Sequence, residues 1–203
     1  MNKLRVSFSI LSMWRRGQYE QAINSYLHLD RITSQAMEDG TMWDAKVTEW
    51  ADLYKKLPEE FGGDELKNPQ TQLRLEVPYN DICDLIIVPD ILDENVLWEN
   101  KTGNSKDSAD YAADFQMSMY FLGLELSGKK VNYGIYNHYN QYLPLDKYNP
   151  NRTIIWNTEK ERQRAKNFID TLAPEIFKYF LENGVFEQEL DIKKKLAYNS
   201  NYE

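Results

Sequence analysis

Asp84 and, fifteen residues later, Glu99-Asn100-Lys101 are the residue types in this chain best suited to chemistry. Two carboxylates and a lysine at one point can hold a divalent cation and act on a phosphate. Asp81-Ile82-Cys83-Asp84-Leu85-Ile86-Ile87-Val88 is apolar and β-branched, as a strand requires. Pro89-Asp90-Ile91-Leu92-Asp93-Glu94-Asn95 reads as a turn, and Val96-Leu97-Trp98-Glu99-Asn100-Lys101 as a second strand. Folding this hairpin between Ile91 and Leu92 sets Asp84 opposite Glu99, with Cβ atoms about 5 Å apart. Side chains alternate along a strand, so Glu99 and Lys101 share a face. Like charges directly opposite each other repel unless something sits between them, and a divalent cation is the obvious candidate.

The carbonyl of Asn100 would add a third hard oxygen ligand for Mg²⁺ or Mn²⁺. Such an ion lowers the pKa of a bound water and neutralises charge growing on a phosphate. Lys101, beside it, could position the attacking water and stabilise the pentavalent transition state. The plainer reading is a cross-strand ion pair between Asp84 and Lys101 on a solvated face, and spacing alone favours it. Against it, Asp84 interrupts an apolar strand, where an unpaired charge is costly.

Other residues are candidates by position. Gln116 and Tyr120 are four apart on a helix predicted over about 108–126, so they point the same way. They flank a core-facing stripe of Phe115, Met119, Leu122 and Leu126, beside the small residues Ala112, Ala113 and Gly123. An ordinary polar pair on a helix edge is the competing reading. Asp44 precedes the stripe residue Val47 on an earlier helix, where a solvated carboxylate is the commoner case. His28 and His138 read as structural, and Trp14, Trp43, Trp50 and Tyr54 as core. Arg15-Arg16 and Lys129-Lys130 are modest basic pairs able to touch phosphates, whereas Lys193-Lys194-Lys195 reads as a solvated tail.

The elements that must position these residues follow from patterning. A helix is expected from about 10 to 29, with Ser9 as its N-cap, and a second from about 34 to 57, ended by Pro58. Extended segments follow at about 71–77, 82–88 and 96–101, then the helix of Gln116. Residues 131–139 alternate as a strand, 153–156 suggest another, and 158–182 form a long amphipathic helix. The polar stretch from Asp191 is expected to fray. This order predicts one α/β domain over residues 1–190, with a mixed central sheet flanked by helices, and a polar tail over 191–203.

Bulk properties narrow the field. With 203 residues one domain is the default, and 42% hydrophobic against 28% charged residues fits a globular protein. No apolar run approaches the roughly 20 residues that span a bilayer, and none behind the N-terminus suits a signal peptide, so a cytoplasmic location and no membrane partner are expected. The lone Cys83 excludes an internal disulfide and a cysteine-built metal or iron–sulfur site. A net charge of −8 argues against a protein that coats nucleic acid non-specifically, but not against an enzyme with a local basic groove.

Taken together, the motif order resembles the PD-(D/E)XK nuclease superfamily, nearest to its RecB-like exonuclease branch, which includes many phage proteins. Ser7-Phe8-Ser9-Ile10-Leu11-Ser12-Met13-Trp14 resembles that branch's opening S-x-S helix motif. Gly40-x-x-x-Asp44 resembles its G-x-x-x-H, and Ile82-Cys83-Asp84 its G-x-x-D strand. Glu99-Asn100-Lys101-Thr102-Gly103 resembles its (D/E)-x-K-T-G, and Gln116-Met117-Ser118-Met119-Tyr120 its Q-x-x-x-Y. The resemblance implies a restriction-endonuclease-like core. It implies Asp44, Asp84 and Glu99 as metal ligands for Mg²⁺ or Mn²⁺, Lys101 as the catalytic lysine, and Gln116 and Tyr120 orienting Lys101 and the DNA backbone. Two departures stand out: Asp44 replaces the branch's histidine, and one cysteine cannot hold the iron–sulfur cluster some members carry.

The leading expectation is therefore a metal-dependent deoxyribonuclease, an exonuclease or end-processing enzyme of recombination or repair. Its implied partners are DNA, a recombination or replication protein, and further copies of itself. The alternatives are a nuclease-fold module that binds DNA or protein with weakened catalysis, and an interaction protein using its many aromatics.

Overall fold

The computed structural model describes residues 3–29, 35–103, 108–140 and 151–199. In chain order its elements are β1 (Leu4–Val6), α1 (Phe8–Arg15), α2 (Tyr19–Tyr26), α3 (Gln35–Tyr54), a 3-10 turn (Glu59–Phe61), β2 (Pro69–Thr71), β3 (Leu75–Pro78), β4 (Cys83–Ile87), β5 (Ile91–Asp93) and β6 (Val96–Thr102). Then come α4 (Ser108–Ala113), α5 (Gln116–Leu126), β7 (Tyr133–Tyr139), β8 (Asn151–Trp156), α6 (Glu159–Glu182) and α7 (Val185–Asn199).

The strands form two sheets, of order β1-β4-β3 and β2-β5-β6-β7-β8. Both are mixed: β1 runs parallel to β4 and β6 parallel to β7, while the remaining pairs are antiparallel. The α/β architecture expected from the sequence is present, with the strands divided between two sheets where one was expected.

Alternation along β6 assigns its faces. Leu97 packs in one buried cluster with Met117, Phe121 and Tyr136, on the α5 side. Trp98 packs in another with Val47, Phe61 and Ile135, on the side of α3 and the 3-10 turn. A third cluster gathers α1, α2, α5 and α6 around the first sheet, with Leu4, Leu11, Trp14, Leu85, Met119, Ile169 and Phe180 at its centre. Glu99 and Lys101 follow Leu97 on the α5 face.

Several boundaries differ from the sequence reading, each for a local reason. The first predicted helix is two helices, because Gly17 takes a left-handed turn at φ +75° between them. Ser7, not Ser9, is the N-cap, its hydroxyl accepting the Ile10 N–H. The helix expected over 108–126 is also two, α4 and α5, with Asp114 accepting the Gln116 N–H at 2.9 Å in the break. Residues 71–77 do not form one strand: Gln72 at φ +47° bends the chain out of β2, and β3 joins the other sheet. The segment from Asp191 is helical within α7, which Glu189 anchors by accepting hydrogen bonds from Arg5 at 2.5 Å and Tyr26 at 2.7 Å.

The hairpin that was to set the site is the consequential difference. Its turn is Glu94-Asn95, three residues beyond the expected fold point, with Glu94 at φ +51°. Ile91 pairs with Trp98, Leu92 with Leu97 and Asp93 with Val96. Residues 91–93 look like turn residues because acids flank them. They form a strand because Ile91 and Leu92 are both buried and Asp93 has partners, accepting the N–H groups of Lys67 at 3.0 Å and Asn68 at 2.6 Å.

Candidate active site

Glu99 is the centre of the site. It lies in the middle of the five-stranded sheet and is 2% exposed. Its Oε1 accepts two hydrogen bonds, from Lys101 Nζ and from Gln116 Nε2, each at 2.6 Å. The Gln116 amide also donates to the Tyr120 hydroxyl at 2.7 Å, and that hydroxyl donates to the Val88 carbonyl at 3.0 Å. α5 therefore holds the carboxylate through two side chains, Gln116 and Tyr120, and the chain ends on the segment leading out of β4. The other oxygen, Oε2, is buried and has no hydrogen-bond partner among the described residues.

Asp90 completes the acid pair. It precedes Ile91, whose partner is Trp98, so the antiparallel register carried one step further sets Asp90 beside Glu99. Its Oδ2 accepts the Asn100 N–H at 2.7 Å. Burial, then Glu99 and, more weakly, Asp44, push its carboxyl well above the ordinary carboxylate range, against the pull of Lys101 and the Asn100 bond. Lys101 is raised as well: burial opposes its charge, but Glu99 and Asp90 outweigh that cost. Tyr120 is held in its neutral form by burial and by the nearby Glu99 and Asp90, which suits a hydroxyl that donates to a carbonyl.

The sequence-predicted residues divide accordingly. Glu99, Lys101, Gln116 and Tyr120 come together. Asp44, on α3, is near enough for its carboxyl to feel both Lys101 and Glu99; partial burial raises it, Lys101 opposes the rise and Glu99 adds to it. Asn100 lies next to Glu99 in sequence, but its side chain turns to the opposite face, where its Oδ1 accepts from Asn137 Nδ2 at 3.3 Å. Asp84 is not opposite Glu99. It stands in β4, level with Arg5 of β1 and Pro78 of β3, and pairs with Lys3 at 2.9 Å. The ion-pair reading of Asp84 holds in kind, with Lys3 as the partner instead of Lys101. A hairpin folded three residues too early exchanged Asp84 for Asp90.

Asp90 is thus the residue that sequence reasoning missed. The signal in the sequence was positional: Asp90 lies nine residues before Glu99 and directly ahead of the apolar pair Ile91-Leu92.

A cation fits this donor set. Two adjoining carboxylates, one with an unpartnered buried oxygen and one whose pKa is raised by burial and by its neighbour, face a single lysine. Among the described residues no three His, Cys, Asp or Glu side chains form a closed ligand cluster. Carboxylate oxygens are the hard ligands that divalent cations of the magnesium kind take.

Gln116 and Tyr120 also line a cleft of about 270 Å³, whose other walls include Val88, Ser7, Arg5 and Arg74. Its lining mixes hydroxyls with two arginines, of which Arg5 is paired with Glu189.

No family model matches the chain, and no curated protein is significantly similar to it. Solved structures are similar. An alkaline exonuclease from Laribacter hongkongensis superposes with a TM-score of 0.51 at 14% identity, over 96% of this chain and 94% of that one. A protein from Eubacterium rectale gives 0.58 at 15% identity, over 88% and 81%. A phage-related exonuclease from Haemophilus somnus gives 0.53 at 8% identity, over 90% and 97%. The chain has the restriction-endonuclease-like fold. At these identities the likeness establishes the fold, and the site has to be argued from its own residues.

Proposed function

We propose that this protein is a divalent-metal-dependent nuclease that hydrolyses phosphodiester bonds of DNA from an end, within the RecB-like branch that its motif order resembles. The carrying observation is the buried, unpartnered Oε2 of Glu99 beside the raised carboxyl of Asp90, with Lys101 bound to the other oxygen of Glu99. An arrangement built only for stability would leave no buried carboxylate oxygen without a donor.

In this reading Asp90 and Glu99 hold Mg²⁺ or Mn²⁺, with the Asn100 carbonyl and Asp44 as further oxygen donors. When bound, the ion supplies charge for the phosphate and lowers the pKa of the attacking water. Lys101 orients that water and offsets charge on the phosphorane-like transition state. Water oxygen adds to phosphorus in line as the water gives a proton to solvent, the P–O bond to the leaving sugar breaks, and that oxygen takes a proton from solvent. Gln116 fixes the Glu99 carboxylate, and Tyr120 fixes Gln116. The similar structures are described as exonucleases, one of them solved with dAMP bound, and this supports the choice of reaction. No described helix is long and apolar enough to cross a membrane.

The test is a time course on end-labelled linear DNA, single- and double-stranded, with Mg²⁺, Mn²⁺ or EDTA. Metal-dependent loss of label by the wild type, abolished in Lys101→Ala and Asp90→Ala, is the expected result. Intact DNA in every wild-type lane, or digestion that the two variants perform equally well, would overturn it.

A further inference from the structure

Three clefts run in series from Gln116 and Tyr120. The first is the one walled by Gln116 and Tyr120, and it shares Phe8 with a second, of about 290 Å³, over the end of α1. The second shares Arg15, Phe115 and Phe168 with a third, of about 440 Å³, between α1, α5 and α6. Phe115 is the residue before Gln116, so the path starts at the site itself.

The lining of this path is unusual for a chain of net charge −8. Arg15, Arg16 and Arg164 line its outer two clefts, against Asp114 as the one acid among the described lining residues. Phe115 and Phe168 stack at 4.3 Å with planes 20° apart. The Arg164 guanidinium lies over Phe115 at 4.4 Å, and Arg15 lies 5.4 Å and 5.7 Å from the two rings. Arg164 is fixed in place, donating to the Ala112 carbonyl at 2.7 Å, to that of Ala113 and to Glu161 at 3.2 Å. Arg15 makes no ion pair among the described residues. Asn167 and Thr171 add amide and hydroxyl groups at the far end.

Planar cations stacked on rings, with Arg15 exposed and free of an ion pair among the described residues, match a single nucleic-acid strand: bases stack on guanidinium and aromatic planes while phosphates meet the arginine charge. We infer that this groove along α1, α5 and α6 is a second binding site that carries a single-stranded DNA segment of the substrate outside the catalytic cleft. The inference rests on the nuclease reading and adds to it the substrate's path and single-stranded form.

The test uses Arg15→Glu, with Asn167→Asp as a second variant on an exposed position. Binding of a fluorescein-labelled single-stranded oligonucleotide is measured by anisotropy in EDTA over a salt series, and Mg²⁺-dependent hydrolysis is compared on a dinucleotide and on a long strand. Arg15→Glu should weaken binding of the long strand by about tenfold or more and lower the salt slope by about one. KM for the long strand should rise, kcat should hold, and hydrolysis of the dinucleotide should be unchanged. Asn167→Asp should move long-strand binding in the same direction. Equal long-strand affinity and salt slope in the wild type and both variants would overturn the groove while leaving the nuclease standing. Wild type that neither binds nor cuts any strand would overturn both.

Discussion

The backbone N–H of Asn100 donates to Asp90 at 2.7 Å, and through that bond the strand that carries Glu99 also holds the second acid. The two carboxylates are therefore fixed by one β-hairpin with a two-residue turn, a rigid frame that leaves little freedom for them to separate. Their mutual repulsion is a property of the folded protein and is absent from the unfolded chain.

That relationship separates Asp90 from Asp84. Asp90→Ala should lower nuclease activity by at least about a hundredfold, the scale seen when a preorganised electrostatic group is lost. Asp84→Ala should keep activity within a few-fold and cost about 1 kcal/mol of stability or less, because its pair with Lys3 is partly exposed. Rates and urea melts of the two variants, side by side, check this; a dead Asp84→Ala with a normal fold would overturn the choice of Asp90 as the second acid.

A cation that relieves the repulsion must stabilise the fold. Mn²⁺ or Mg²⁺ at millimolar concentration should raise the melting temperature, with a linkage that grows with free ion over its Kd. Asp90→Asn should raise the metal-free melting temperature, by about 2–4 °C for each kcal/mol of relief, and should abolish the metal-dependent rise. The sign follows from the raised carboxyl of Asp90. Its contribution to stability is full below the unfolded carboxylate pKa and is lost as pH rises through the higher folded value. The gain from Asp90→Asn should accordingly be larger at pH 8 than at pH 5, as scanning calorimetry at the two pH values would show.

Tyr120→Phe removes the middle of the chain from Glu99 to Val88. It leaves a Gln116 N–H and the Val88 carbonyl unpaired, at a cost of about 1–3 kcal/mol. Glu99 should then hold its position less firmly. The expected result is a modest fall in kcat, smaller than for Lys101→Ala, with little change in KM.

Gly123 sets how closely α5 approaches the first sheet. A Cβ there would stand 2.8 Å from Ile87 Cδ1 and 2.9 Å from its Cγ2. Gly123→Ala should destabilise the protein by about 1–3 kcal/mol through overpacking, despite the better helix propensity of alanine. A chemical-denaturation midpoint unchanged from wild type would show that Ile87 can move aside.

The docking of α7 has its own pH dependence. Burial tends to raise Glu189, but its bonds from Lys193 and Tyr26 and the charge of Arg5 prevail and lower it. A lowered folded pKa gives stability that is present above the unfolded carboxylate value and is lost as pH falls through the folded one. Glu189→Gln should therefore destabilise at pH 7 and converge with wild type in acid. Urea melts between pH 3 and pH 7 would test it.

Much of this protein was determined by sequence alone. Periodicity located the long helix α6 and the strands β6 and β7 nearly to the residue, because each is long enough for its pattern to exceed the noise of single positions. Glu99, Lys101, Gln116 and Tyr120 were identifiable as a set, since residues two apart on a strand and four apart on a helix must share a face wherever those elements end up. What the sequence left open was which acid stands across from Glu99. Strand pairing is a relation between segments, and a small shift of a turn exchanges every cross-strand neighbour. Acids flanking Ile91-Leu92 imitated a loop, while the contacts that make those residues a strand come from Lys67, Asn68 and two buried clusters elsewhere in the chain. Only the tertiary structure could weigh those contacts, and in doing so it moved the site's second carboxylate from Asp84 to Asp90.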